Sequence, residues 1–188
     1  FIDPALSERV VVARKGPWRE EPDSVAQRRE DLLRSVAYGI INRRLQRMTL
    51  QANPPFRSAG FGTDSLFREA RETELAVDTV DGQWRAGLMA AGTEYRRAMA
   101  YGFTPAEVAE QVANLRTSFR NGAEGAATRS NSALVNSAQR LVMDEIVPGS
   151  PIDAAKRFEE FAPEITPEAV MAALQREAVP LDQPLIRF

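Results

Sequence analysis

Apolar positions along the chain switch between a period of two and a period near 3.6, and these switches mark out its elements. Val10-Val11-Val12-Ala13 is a β-branched run closed by Arg14-Lys15-Gly16-Pro17, so it reads as an edge or near-edge strand leaving through a turn. From Ser24 to about Gln51, Leu33, Ala37, Ile40, Ile41, Leu45 and Met48 recur at helical spacing, with Asp23 or Ser24 as the cap. Asn53-Pro54-Pro55 stops that helix. Ser58-Ala59-Gly60-Phe61-Gly62 then fits either a loop or an irregular strand. Glu74 to Val80 alternates Leu75, Val77 and Thr79 against Glu74, Ala76 and Asp78, the pattern of a half-buried strand ending at Asp81-Gly82.

The period then becomes helical. Trp84, Leu88, Ala91, Tyr95 and Ala98 share one face of a helix from about Gln83 to Tyr101. At Tyr101-Gly102-Phe103-Thr104-Pro105-Ala106-Glu107-Val108 one helix stops and another starts. Gly102 suits the left-handed conformation that ends a helix, Thr104 and Glu107 form a capping box, and Pro105 fits a first turn. Phe103 and Val108 stand at the N′ and N4 positions of a hydrophobic staple. The next stripe is Val108, Val112, Leu115 and Phe119, with a weakening or kink expected at Asn121-Gly122 and Gly125. A further amphipathic stretch uses Leu134, Val135, Ala138, Leu141, Val142 and Ile146 and stops at Pro148-Gly149. Ser150-Pro151-Ile152-Asp153 opens a short helix to about Phe161. Ile165-Thr166-Pro167-Glu168-Ala169-Val170 repeats the cap and staple, and Leu185-Ile186-Arg187-Phe188 is a closing strand. The order strand, long helix, loop, strand, three or four helices, strand predicts an α+β fold, with helices covering one face of a small sheet.

At 188 residues, with 44% hydrophobic and 27% charged positions, the chain suits one domain spanning 1–188. Opening on Phe1-Ile2-Asp3-Pro4, it reads as processed or excised from a larger multidomain protein, truncated at both ends. A net charge of -2 argues against a dedicated nucleic-acid surface. Arg28, Arg29, Arg34, Arg43, Arg44 and Arg47 crowd one segment, but interleaved with Glu30 and Asp31 they read as the wet face of a helix. No apolar run reaches the length of a membrane span, so no membrane insertion is expected.

The sequence holds no histidine and no cysteine, which removes a disulfide framework, a thiol nucleophile, a Ser-His-Asp triad and a histidine-ligated metal from this chain. Cysteine avoidance suits a periplasmic or secreted location, with the cytoplasm as the alternative. Carboxylates remain as general acids or bases. Glu20-Glu21 and Glu159-Glu160 are adjacent in sequence, so their side chains diverge and they read as solvated surface. Gly60-Phe61-Gly62 resembles part of a phosphate loop but lacks the Lys-Ser/Thr ending. Trp84 and Tyr95 fit either an aromatic platform or, in register with Leu88 and Ala91, the core. The small, polar stretch from Asn121 to Ser132 fits either a hinge or a surface facing a partner domain, or else a poorly packed exposed turn of a long helix.

From Trp84 to Ser132 the pattern becomes specific: a tryptophan after Asp81-Gly82, a helix ending in Tyr-Gly-Phe-Thr, a Pro-Ala-Glu start, and a small-residue stretch around Arg129-Ser130-Asn131. Together with Ile41-Asn42-Arg43-Arg44-Leu45 and Ile165 to Val170, in the same order, it resembles the second domain of a half-molecule in the pitrilysin/insulinase family of zinc metallopeptidases. The resemblance spans roughly Val10 to Phe188. It implies a mostly antiparallel α+β domain, one of two similar domains in each half of a clam-shell enclosing a peptide chamber. Zinc in that family is held by an inverted His-x-x-Glu-His motif and a distal Glu in another domain.

Without histidine, none of those ligands maps onto this chain. Nor does the Arg68 to Val80 region carry the Arg-and-Tyr pair with which some members hold substrate. The resemblance therefore implies no catalytic, cofactor-binding or metal-binding residues in this chain, with zinc expected in the catalytic domain of the full-length protein. The expected role is a noncatalytic chamber-wall scaffold in a bacterial peptidase. The alternative is an inactive homologue serving as a structural or interaction subunit. Expected partners are the other domains of the same polypeptide and, in the complete protein, a peptide substrate. Exposed apolar surface would make the isolated fragment self-associate.

Overall fold

A computed structural model describes residues 8–177, 181 and 184–187. The chain forms β1 (Arg9–Pro17), α1 (Val25–Thr49), β2 (Ser58–Leu66), β3 (Ala70–Asp78), α2 (Trp84–Tyr101), α3 (Pro105–Glu124), α4 (Asn131–Asp144), α5 (Pro151–Phe161), α6 (Pro167–Glu177) and β4 (Leu185–Arg187). All strand pairs are antiparallel, in the order β2-β3-β1-β4. The α+β expectation holds, with five helices between β3 and β4 where the pattern predicted three or four. Phe188, the last residue of the expected closing strand, lies outside the described residues. Among the described residues no helix is long and apolar enough to cross a membrane.

Alternation puts one side chain in two on the helix-covered face of the sheet. Val10, Phe61, Thr73, Leu75, Val77 and Thr79 are buried there, while Glu72, Glu74 and Asp78 occupy the open face. Against the covered face α1 buries Val36, Ala37, Ile40, Ile41 and Leu45, all at 1% exposure or less. Full burial of an aliphatic side chain of this size contributes about 1.5–3 kcal/mol, so α1 is the mainstay of the core. On α2 the buried line is Gly87, Ala91, Glu94 and Ala98, and the predicted Trp84, Leu88 and Tyr95 flank it half-buried. Gly87 belongs to that line because a Cβ there would meet Thr79 Cγ2 at 2.8 Å and the Pro55 carbonyl at 3.1 Å.

Local differences from the sequence reading have physical causes. β1 runs on through Gly16 to Pro17, opposite Ala70, instead of turning after Ala13. Among the described residues β4 pairs only with Val11 to Ala13, so the proline sits where β1 is itself an edge, the position a strand tolerates it. β2 is a regular strand despite its glycines, because β3 pairs with it from Ser58 to Leu66. Ser24, not Asp23, caps α1 by accepting from the Gln27 N–H at 3.1 Å. Asp23 instead accepts from Arg28 and from the Val147 N–H.

Candidate domain-contact site

The helix junction is built as its residues dictate. Thr104 accepts from the Glu107 N–H at 3.3 Å, and Glu107 Oε2 accepts from the Thr104 N–H at 2.9 Å, closing both halves of the capping box. Phe103 and Val108 are buried as the staple requires. Gly102 has positive φ but ψ of −145°, outside the left-handed helical region and in one that is essentially glycine-only.

The box is coupled to the core helix. Arg44 donates from Nε to Glu107 Oε1 at 2.6 Å and from Nη2 to Glu107 Oε2 at 2.8 Å. It also reaches the Gly102 carbonyl at 3.1 Å and Glu94 at 3.5 Å, and its guanidinium lies 5.6 Å from the Phe103 ring centroid. The Arg44 hydrogen bonds outweigh the opposing effect of burial and hold Glu107 at about 2. One arginine thus ties α1, α2 and α3 into a rigid frame.

The second feature projects from that frame. After α3 a 3₁₀ turn at Gly125–Thr128 leads to Ser130, which caps α4. Of the weakening expected at Asn121-Gly122 and Gly125, the part at Gly125 is where the helix gives way to a 3₁₀ turn, while α3 continues through Asn121 and Gly122 to Glu124. None of the α4 residues is buried. The apolar stripe of this amphipathic helix is exposed: Leu134, Val135, Leu141 and Val142 all reach solvent, Val142 at 81%. Periodicity correctly made this an amphipathic helix, but none of its apolar residues joins the buried core among the described residues.

Its C-terminal end is tethered instead. Glu145 takes the left-handed conformation, the Val147 N–H donates to Asp23 at 2.9 Å, and Arg28 donates to the Val147 carbonyl at 2.6 Å. Hydrogen bonding to Arg28 lowers the Asp23 carboxyl to about 2. Beside the tether, an apolar groove of about 810 Å³ between α1, α3 and α5 is lined by Val25, Leu32, Phe119, Ala154, Phe158 and Phe161. The apolar stripe and the groove are each exposed apolar surface suited to covering by another folded unit.

The remaining sequence candidates disperse. Glu21 is no solvated carboxylate: burial raises its pKa, but Arg34 and Arg71, each with a nitrogen at 3.2 Å, bring it net below the usual value. Glu20 faces Arg68, and Glu159 pairs with Arg116 at 2.8 Å. Gly60-Phe61-Gly62 lies inside β2, so it forms no loop. Tyr95 packs on Phe61 at 5.1 Å and belongs to the core, whereas Trp84 is half-buried with Arg85 over its ring. The arginines of α1 reach other elements: Arg28 to Asp23, Arg34 to Glu21, Arg43 and Arg47 to Glu110, Arg44 to Glu107, and Arg29 over Phe161. Arg34 is itself buried, unlike the wet-face expectation. Among the described residues no three carboxylates gather into a group able to hold a metal ion.

No protein-family model matches the chain, and no curated protein matches it. Solved structures do. The first half of the periplasmic protease PqqL from Escherichia coli superposes with a TM-score of 0.81 at 14% identity, over 91% of this chain and 36% of that one. A predicted insulinase family protease from Yersinia pestis gives 0.71 at 17% identity, over 98% and 39%. A peptidase inactive domain from Pseudomonas fluorescens gives 0.66 at 16% identity, over 95% and 39%. The chain therefore has a fold found in these insulinase-type peptidase structures, and it spans well under half the length of these solved chains.

Proposed function

We propose that this chain is a noncatalytic scaffold and chamber-wall domain of a bacterial zinc-dependent peptidase, in which another domain of the same polypeptide holds zinc and cuts the peptide. One observation carries the reading: a chain without a single histidine has, over 91% of its length, the fold that makes up 36% of a longer protease half. The inverted zinc motif needs two histidines, so the hydrolytic water must be activated elsewhere. The rigid Arg44 frame and the exposed α4 stripe suit a wall that meets neighbouring domains. On this reading residues 1–188 are one domain of a larger protein, and the similarity to a periplasmic protease supports a periplasmic location.

The similarity to a domain described as inactive supports a second reading, an inactive homologue with only a structural or interaction role. Calorimetric zinc titration of the chain tests the feature common to both. No stoichiometric binding is expected, and a one-to-one, sub-micromolar zinc site would overturn the noncatalytic assignment.

A further inference from the structure

β2 is an edge strand, yet its edge is not open where pairing would be strongest. Asn42, next to the fully buried Ile41 on α1, turns its side-chain amide onto the backbone of Phe61. Asn42 Oδ1 accepts from the Phe61 N–H at 2.8 Å, and Asn42 Nδ2 donates to the Phe61 carbonyl at 3.0 Å. This two-bond ring is the one a neighbouring strand residue would make in an antiparallel pair. By the same alternation, the N–H groups of Ala59, Thr63 and Ser65 face the edge side with that of Phe61. The Ser65 N–H is also taken, donating to Asp64 Oδ1 at 2.7 Å.

The rest of the strand invites pairing. A Cβ added at Gly60 or Gly62 meets nothing within 4 Å, so the open face of the sheet beside this edge is unobstructed. A polar cleft of about 670 Å³ bordered by Gly39, Asn42, Arg43, Glu110 and Gln111 runs alongside it. Two copies of β2 paired antiparallel about Phe61 would set Asp64 opposite Ser58 and Arg57 opposite Ser65, with no like charges facing. Proteins blunt such edges with charge, proline or a covering element, and a side-chain amide fixed on the backbone does the same locally.

We propose that Asn42 is an edge guard, whose amide occupies the position at which β2 of a second copy of this chain would otherwise pair. The inference is independent of any peptidase role. In the wild-type chain, hydrogen exchange at the Phe61 amide should be roughly fivefold slower than at the edge-facing Thr63 amide, as expected for a bond of about 1 kcal/mol. In Asn42→Ala, sedimentation should show dimerisation at least about tenfold tighter than any wild-type self-association, with new exchange protection at Ala59 and Thr63. Adding Gly62→Lys, whose side chain has room on the open face and sets a charge on the edge strand, should return the variant to wild-type behaviour. A folded Asn42→Ala chain that assembles like the wild type, or whose added association ignores Gly62→Lys, overturns the proposal. Should Asn42→Ala fail to fold, the wild-type exchange decides: Phe61 exchanging as fast as Thr63 overturns it, and the slower rate supports it.

Discussion

Arg44 and Glu107 stand 63 positions apart, yet two charge-assisted hydrogen bonds of 2.6 and 2.8 Å join them, so the cap of α3 is fastened to the middle of α1. Both side chains are mostly buried, at 15% and 17% exposure, and removing one leaves the other charged and poorly solvated. Arg44→Ala should therefore cost about 2–4 kcal/mol in urea unfolding. Arg44→Lys should recover only part of it, because an ammonium cannot bridge both carboxylate oxygens.

The same pair sets an acid limit. Glu107 titrates at about 2 in the folded chain against an ordinary 4.5, so its folded-state pKa is depressed. A depressed carboxylate contributes stability that is fully present above about pH 4.5 and is lost as pH falls toward 2. Between pH 6 and pH 3 the Glu107 contribution should fall by about 1–2 kcal/mol, and Glu107→Gln should flatten that limb while lowering stability at pH 6. Urea unfolding at the two pH values gives both quantities.

Two glycines should respond to alanine for different reasons. At Gly102, positive φ with ψ of −145° strains any side chain, and Gly102→Ala should cost about 1–3 kcal/mol. At Gly87 the backbone is helical, but the new methyl meets Thr79 and Pro55, so a helix-propensity gain of about 1 kcal/mol is offset by overpacking of about 1–3 kcal/mol. Thermal melts of both variants, beside Gly60→Ala as an unobstructed strand control, check this contrast.

The loss of one α4 tether should be local. Asp23→Asn removes the charge that holds both Arg28 and the Val147 N–H. Exchange at the Val147 amide should accelerate about tenfold or more, while the Val36 and Ile40 amides in α1 keep their rates. Acceleration throughout α1 would mean that the tether is part of the core.

These outcomes follow the division between what local sequence encodes and what it does not. The Thr104-Glu107 box, the Ser24 and Ser150 caps and the Ile165-Val170 staple were legible because each is completed within a few residues. β2 was ambiguous because glycine and serine hide a strand whose order comes from β3 and Asn42. The Arg44 and Glu21 pairings join distant segments, so no local pattern announces them. In α4 the apolar period fixed the helix but not what covers it. On the proposed reading, neighbouring domains of the polypeptide do.

That reading makes α4 a surface with little intramolecular role. Replacing Leu134, Leu141 and Val142 together by glutamine should change chain stability by no more than about 1 kcal/mol. It should reduce both self-association and binding of an apolar-surface dye. A large loss of stability would place the stripe in this domain's own core.

A supporting domain in a peptidase is recognised by turnover of a fluorogenic peptide, measured for this chain alone and for the complete polypeptide that carries it, both with zinc supplied. Cleavage by the complete polypeptide and none by the chain alone is the expected result; cleavage by the chain alone, or none by the zinc-supplied complete polypeptide, rules the supporting role out.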